Sequence, residues 1–362
     1  MSLSPTEDIL SFRYLLNEAM LGFLAGEHLV NPELSECLSE LIVSLSSYRE
    51  EGAILFPRVF LTEKLDSLLE VVSGQDAIRV GRGALGWETV RLALKACAPL
   101  AQGNWYVWLE AGREGLAYGI FRNEASPLAT TPMEMLRQSR APERKLVGVV
   151  QLADNIIELV GGSGHCRYVY LSGARPDARL PSRVVADMVA AVTRHVPPDV
   201  RIETEHFFRS VFWGVMMSSH GSLLAILPYG ANWHPLFEDG IRLETPISPV
   251  SRIREFRSTA DSKVISSLGA LASMMQSLVG VDGITVLRSD GALLGYNVFI
   301  RPEQGVWGAQ VGGARKRTFA ALCHPVGTDL VAAFCRSQDG FAECQLAPDV
   351  RVAPEDPDDF SA

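Results

Sequence analysis

Apolar positions recur at three- and four-residue steps early in the chain. Ile9, Phe12, Leu15, Leu16, Ala19 and Phe23 form one stripe, and a second run opens at Pro32-Glu33 and ends near Tyr48. This spacing predicts helices. Between Arg79 and Arg122 the pattern changes. Trp87 to Ala98 reads as a helix stopped by Pro99, followed by a strand pair, Asn104 to Leu109 and Gly115 to Phe121, joined by a turn over Glu110 to Glu114. Strand texture continues at Val147 to Leu152, Ile156 to Val160 and Tyr168 to Leu171. Gly161-Gly162-Ser163-Gly164 interrupts it and leads into a strand, with no Lys-Ser/Thr following, so it reads as a hairpin turn and not a phosphate loop.

The stretch Ala174 to Pro181, rich in Arg, Pro and Asp, reads as a domain linker. Past it, helices are predicted at Arg183 to His195 and Glu203 to Met217, the latter punctuated by His220-Gly221. Ser222 to Leu227 is a continuous apolar run of the kind buried on both faces of a sheet. Ser262 to Leu278 is a helix whose stripe is Val264, Leu268, Leu271, Met275 and Leu278, with Gly280 expected as a left-handed cap. Strands follow at Ile284 to Leu287, Leu293 to Ile300 and Leu330 to Cys335, with a helix at Arg315 to Cys323. The predicted fold class is α/β (α+β). An N-terminal α+β domain spans 1–180, a mixed sheet flanked by helices spans 200–346, and 347–362 is an acidic, disordered tail. No internal repeat is visible, although the helix-plus-sheet texture of the first half is compatible with a degenerate copy of a similar fold.

Composition narrows the function classes. In 362 residues, 47% hydrophobic and 21% charged is a globular balance. Lys plus Arg total 33 against 42 Asp plus Glu, a net charge of −9, which argues against coating DNA or RNA while leaving room for a local phosphate site. No apolar run approaches the ~18 residues of a spanning helix, and the N-terminus lacks the layout of a secretion signal. The cysteines are scattered without a CxxC pair, so reduced, packed thiols in a cytoplasmic protein with no membrane partner are expected. The histidines show no HxxxH or HExxH pattern, which leaves a zinc site unsupported. Most tryptophans read as core or rim, and Trp307 is a candidate for touching a nucleobase.

One constellation carries chemistry. Gly280-Val281-Asp282-Gly283-Ile284 places an acid and a glycine between a helix and a buried strand, and Gly312-Gly313-Ala314-Arg315-Lys316-Arg317-Thr318 places three cations after a double glycine at a helix start. Glycines let backbone N–H groups approach an anion, the helix start adds partial positive charge, and arginine forks chelate phosphate oxygens. Asp282 is suited to a ribose hydroxyl or a divalent metal. The plainer alternative is a solvated helix start. Against it, cations at a helix N-terminus oppose the macrodipole, a conflict that an anionic ligand removes.

These residues resemble the diadenylate cyclase domain family, which has a DGA motif at a strand start, a following strand ending near a proline, and a G-T/A-R-H-R motif opening a helix. The matching stretches are Asp282-Gly283-Ile284, Tyr296-Asn297-Val298-Phe299-Ile300-Arg301-Pro302 and Gly313-Ala314-Arg315-Lys316-Arg317, within residues 203–345. Asp290-Gly291-Ala292 spells DGA literally but sits between two strands and reads as a hairpin turn, so Asp282 is preferred. The resemblance implies an ATP pocket, phosphates held by Gly283, Ile284, Gly312, Gly313, Arg315, Lys316, Arg317 and Thr318, and Mg²⁺ or Mn²⁺ on Asp282. It also implies facing pairs of domains, hence a homo-oligomer, that condense two ATP to cyclic di-AMP by in-line phosphoryl transfer.

The departures from the family pattern matter. Ile284 replaces a small alanine, Ala314 a threonine and Lys316 a histidine, while Ser337 and Gln338 stand where metal-binding glutamates belong. Arg336 beside them is expected to repel a metal, with Asp339 as a displaced substitute. Three readings follow: a nucleotide-binding sensor that has lost turnover, an active cyclase with Asp282 as its catalytic acid, and an interaction protein with a vestigial pocket.

Overall fold

The structure, a computed structural model, describes residues 12–50, 53–123, 126–153, 155–171, 180–217, 221–233, 235–300, 313–337 and 342–350. The chain divides into two compact units. The first holds residues 1–124 and 131–173, and the second 125–130 and 174–362.

In the first unit, α1 (Phe12–Gly26) and α2 (Pro32–Leu45) come first, and Asn31 caps α2 by accepting from Glu33 N at 2.9 Å. A short ladder, β1 (Arg49–Glu50) with β2 (Ala53–Ile54), leads to β3 (Val59–Thr62), α3 (Leu65–Val71), β4 (Gly74–Gly83) and α4 (Trp87–Cys97). Then follow β5 (Trp105–Gly112), β6 (Gly115–Asn123), α5 (Pro132–Gln138), β7 (Leu146–Ala153), β8 (Ile156–Gly161) and β9 (Cys166–Tyr170). The seven-stranded sheet has the order β4-β6-β5-β3-β7-β8-β9. β3 runs parallel to β5 and antiparallel to β7. Alternation along β3 sends Val59 and Leu61 into a core under α1, α2 and α4, while Phe60 joins Tyr106 and Phe121 on the opposite face. The glycine-rich stretch is the β8–β9 hairpin turn that the sequence predicts. Its composition has a cause: Glu27, 1% exposed, accepts from Ser163 N at 2.9 Å, and a Cβ on Gly161 would lie 2.0 Å from the Glu27 carboxyl carbon.

In the second unit, α6 (Pro181–Thr193) and α7 (Arg201–Met216) precede β10 (Ser222–Leu227), β11 (Phe237–Glu238) and β12 (Ile241–Ile247). Then come α8 (Val250–Thr259), α9 (Ser262–Val279), β13 (Ile284–Arg288), β14 (Leu293–Ile300), α10 (Ala314–Cys323), β15 (Ala332–Arg336) and β16 (Ala342–Leu346). The sheet again has seven strands, ordered β11-β14-β13-β10-β15-β16, with β12 also on β14. Every residue of β10 is buried. Leu224 and Ile226 face the helical layer of α6, α7 and α9, whereas Leu223, Ala225 and Leu227 face Phe319 and Leu322 of α10.

The two units share one topology. Central β3 and β10 are each parallel to the strand after the following long helix (β5, β13) and antiparallel to β7 and β15. β6 and β14 continue the sheet to edge strands β4 and β12, and β8 and β16 extend the other side. A helix pair precedes each central strand, and one helix (α5, α10) joins each hairpin to the antiparallel neighbour. The sequence shows no repeat because packing preserves only the pattern of buried positions, not residue identity.

Three further expectations are corrected. Gly280 is right-handed (φ −82), and the left-handed glycine is Gly283 (φ +87). Part of the supposed disordered tail is folded, since Arg194 chelates Asp349 at 3.0 and 2.5 Å and Ala347 N donates to Val331 O. The β5–β6 turn is tighter than predicted, because Gly112 pairs with Gly115.

Asp290-Gly291-Ala292 is indeed the β13–β14 turn, with Arg288 on the Asp290 carboxylate at 2.8 Å. His195 is tied to it: its backbone N donates to Ser289 O at 2.8 Å, its Nδ1 lies 2.9 Å from Ser289 Oγ, and its ring stacks on Tyr229. Partial burial, aided by Arg194, holds the imidazole below its ordinary value of 6.5. The unfolded chain therefore binds this proton more readily, so the contribution is complete above about pH 6.5 and lost as pH falls. The urea midpoint is expected to drop between pH 7 and 5, and His195→Gln to flatten that slope. An unchanged slope in the variant would assign the acid sensitivity elsewhere.

Candidate functional site

The candidate site lies in the second unit, where parallel strands β10 and β13 begin. α9 ends, and the chain turns through Val281-Asp282-Gly283 into β13. Gly283 takes its left-handed conformation against β14, where a Cβ would meet Asn297 C at 2.9 Å and Asn297 Cα at 3.0 Å. Asn297 is itself left-handed (φ +52) at an irregularity of the β13–β14 register. This pair of turned backbones lifts Asp282 out of the sheet, leaving its side chain 84% exposed.

α10 begins beside it. Its N-cap is Gly313, with no side-chain cap among the described residues and no acid in the first turn, and the first N–H groups of a helix have no acceptor within it. Arg315, 37% exposed, stretches across Gly221: a Cβ there would meet Arg315 Nη1 at 2.8 Å and Cδ at 3.0 Å. Arg315 Nη2 ends 4.0 Å from Asp282 Oδ1, and its side chain makes no hydrogen bond to the described residues. Lys316 and Arg317 are exposed on the same turn. Burial pushes the Cys335 thiol in β15 up to about 11, Glu343 adds to the rise, and Arg315 and Lys316 oppose it. The field of the cations thus reaches the inner strand.

Asp282, Gly283, Gly313 and Arg315 therefore come together, with Lys316 and Arg317 beside them. Two other residues do not join them. Ile284, expected to crowd a nucleotide, is 1% exposed and packed with Val286 and Val298 in the core. The Thr318 hydroxyl is turned back to Ala314 O at 3.1 Å, as threonines within helices often are. Arg336 does not stand beside Arg315, because alternation along β15 puts its side chain on the face of Phe334, away from α10. Gly312, Trp307, Arg301-Pro302, His220, Gln338 and Asp339 lie outside the described residues. The part played by Gly221 escapes sequence reading, since only the fold shows a side chain lying over it.

A divalent metal needs several oxygen donors, usually including more than one carboxylate. Among the described residues no three His, Cys, Asp or Glu side chains cluster, and the charged neighbour of Asp282 is a cation. The described residues do not fit a resident metal at Asp282.

The first unit offers an internal comparison at the same topological position. Arg58 immediately precedes β3 as Gly221 precedes β10, and Gln102-Gly103 stands before β5 where Asp282-Gly283 stands before β13. There Arg58 donates to Gly103 O, donates to Tyr106 OH at 3.0 Å, and covers the Tyr106 ring at 4.1 Å. Thr131 and Glu134 close the start of α5 with a reciprocal capping box. Burial pushes the Tyr106 phenol up against the pull of Arg58, and the Glu134 carboxylate adds to the rise. Among the described residues, α10 has no counterpart of that capping box, and Gly221 stands where Arg58 does. No protein-family model matches the chain, and no curated protein matches it.

Proposed function

We propose that the second unit is a nucleotide-binding module of the diadenylate cyclase type, serving as a sensor of a nucleotide or nucleotide second messenger. The observation that carries this reading is the approach of Arg315 to within 4.0 Å of Asp282 across Gly221, at the uncapped start of a helix. Three cations there oppose the macrodipole. Phosphate oxygens would satisfy the bare N–H groups and take the guanidinium forks of Arg315 and Arg317, while Asp282 accepts from a ribose hydroxyl. Turnover is not part of the reading, because Ser337 and Gln338 stand where the family's metal-binding glutamates belong. The closed counterpart in the first unit supports one site per chain.

The test is a melting screen of the full chain with ATP, cyclic di-AMP and cyclic di-GMP at millimolar concentration. A ligand at a hundred times its Kd stabilises by about 2.7 kcal/mol. At roughly 2–4 °C per kcal/mol, the second unit is expected to gain about 5–10 °C with at least one of them. An unmoved melting temperature with all three would sink the proposal. Cyclic dinucleotide formed from ATP and Mn²⁺, and lost in Asp282→Ala, would replace sensing by catalysis.

A further inference from the structure

The helical layer of the first unit contains a second cleft, unconnected with the phosphate grip. Its volume is about 360 Å³, and it is walled by Arg13, Tyr14 and Asn17 of α1, Glu36 and Ser39 of α2, and Trp87 at the start of α4. The charges around it cancel. Glu40, with its side chain 2% exposed, is held by Arg13 on Oε2 and by Arg91 Nε on Oε1 at 2.7 Å, and Glu36 adds a second carboxylate. Both arginines are already partnered, so the cleft has little to offer a phosphate.

What the walls lack is hydrogen-bond partners for neutral groups. Asn17 Oδ1 and Ser39 Oγ are buried with no partner among the described residues, and Ser39 is only 4% exposed. Burying such groups without compensation is unfavourable, and natural interiors rarely leave them so unless a water or a ligand completes them. Beside them Trp87 stays 41% exposed, its indole carrying the Arg91 guanidinium at 4.7 Å. A side-chain amide reads an edge that carries one donor and one acceptor, and an exposed indole stacks on a flat ring. Together these demands describe one ligand chemistry.

We propose that this cleft binds an uncharged planar heterocycle with adjacent donor and acceptor atoms, of the nucleobase class, with Asn17 and Ser39 pairing to its edge and Trp87 stacking on its ring. Because none of these residues belongs to the second unit, the inference stands independently of the proposed sensor site.

The test is titration of the full-length chain with adenine, hypoxanthine, cytosine and uracil, followed by tryptophan fluorescence and confirmed by calorimetry. At least one base is expected to quench emission saturably, the quench vanishing in Trp87→Phe. Asn17→Leu and Ser39→Ala should each weaken binding at least tenfold. The unliganded melting temperature distinguishes a ligand group from a structural one. Removing a partnerless hydroxyl leaves nothing unsatisfied behind, so Ser39→Ala should melt at the same temperature or higher. The proposal fails if no base binds by either method, if binding survives undiminished in both Asn17→Leu and Ser39→Ala, or if Ser39→Ala lowers the unliganded melting temperature by several degrees.

Discussion

Arg315→Ala is expected to erase the nucleotide-dependent rise in melting temperature while leaving the unliganded protein almost unchanged. The two halves of that expectation rest on different magnitudes. Among the described residues Arg315 has one distant partner, Asp282 at 4.0 Å, and both side chains reach solvent. Such a pair is worth about 0–1 kcal/mol, so the free protein should melt within a few degrees of the parent. With ligand, the same guanidinium would make charge-assisted bonds to a desolvated phosphate, and losing one side of such a pair costs about 2–5 kcal/mol. Affinity should therefore fall by at least about 30-fold.

The lysine variant sharpens the argument. Arg315→Lys keeps the charge but loses the planar fork, so a response between parent and alanine variant identifies chelation over simple attraction. Asp282→Asn should weaken binding about tenfold if the carboxylate accepts from a hydroxyl. A parent-like response in Arg315→Ala would move the ligand elsewhere. A response lost only in Arg58→Ala would place it at the corresponding locus of the first unit, against the reading that this locus is closed.

How far the sequence reached can be judged from particular elements. The stripe Val264, Leu268, Leu271, Met275 and Leu278 was legible because helical burial leaves a period; the first four are buried and Leu278 is half-buried against the same core. The run Ser222 to Leu227 was legible because a strand buried on both faces needs no alternation. β4 and β12 went unread for the opposite reason: they are edge strands, exposed over most of their length, and their few apolar residues are interrupted by Gly in β4 and by Pro in β12. At the site, the acid, the glycines and the cations were readable from residue types. The meeting of Asp282 with Arg315 was expected from the family resemblance and not from residue types alone, because it depends on parallel pairing between β10 and β13 and on the crossing of Gly221. The shared topology of the two units was hidden for the same reason. Gln102-Gly103 and Asp282-Gly283 look unrelated until each is seen to lie between a helix and the strand parallel to the central one.

The largest loss of stability is expected from Arg137→Met in the first unit. Glu158 in β8 has a fully buried side chain and is held from two sides. Arg137, near the end of α5, donates through Nε to Oε1 at 3.2 Å and through Nη2 to Oε2, and Tyr168 OH donates to Oε1 at 2.9 Å. Removing the guanidinium strands a carboxylate in the interior, a change worth about 3–5 kcal/mol. At roughly 2–4 °C per kcal/mol, the unit should melt about 6–20 °C lower. Arg82→Met provides the contrast. It breaks a pair whose side chains are 40% and 77% exposed, and should cost less than about 1 kcal/mol. The cause of the loss can then be isolated. If the orphaned charge is responsible, adding Glu158→Leu and Tyr168→Phe to Arg137→Met should restore most of the stability, because it removes the carboxylate together with the hydroxyl that donates to it. If the triple variant melts as low as the single one, packing of α5 on β8 matters more than its charge. Either outcome bears on the difference between the two units. α5 is held at its first turn by the capping box and near its last by Glu158, so its N-terminus is spent on the protein itself. α10 opens on Gly313 and three cations with no side-chain cap among the described residues, and it is at this helix start that the proposed ligand would sit.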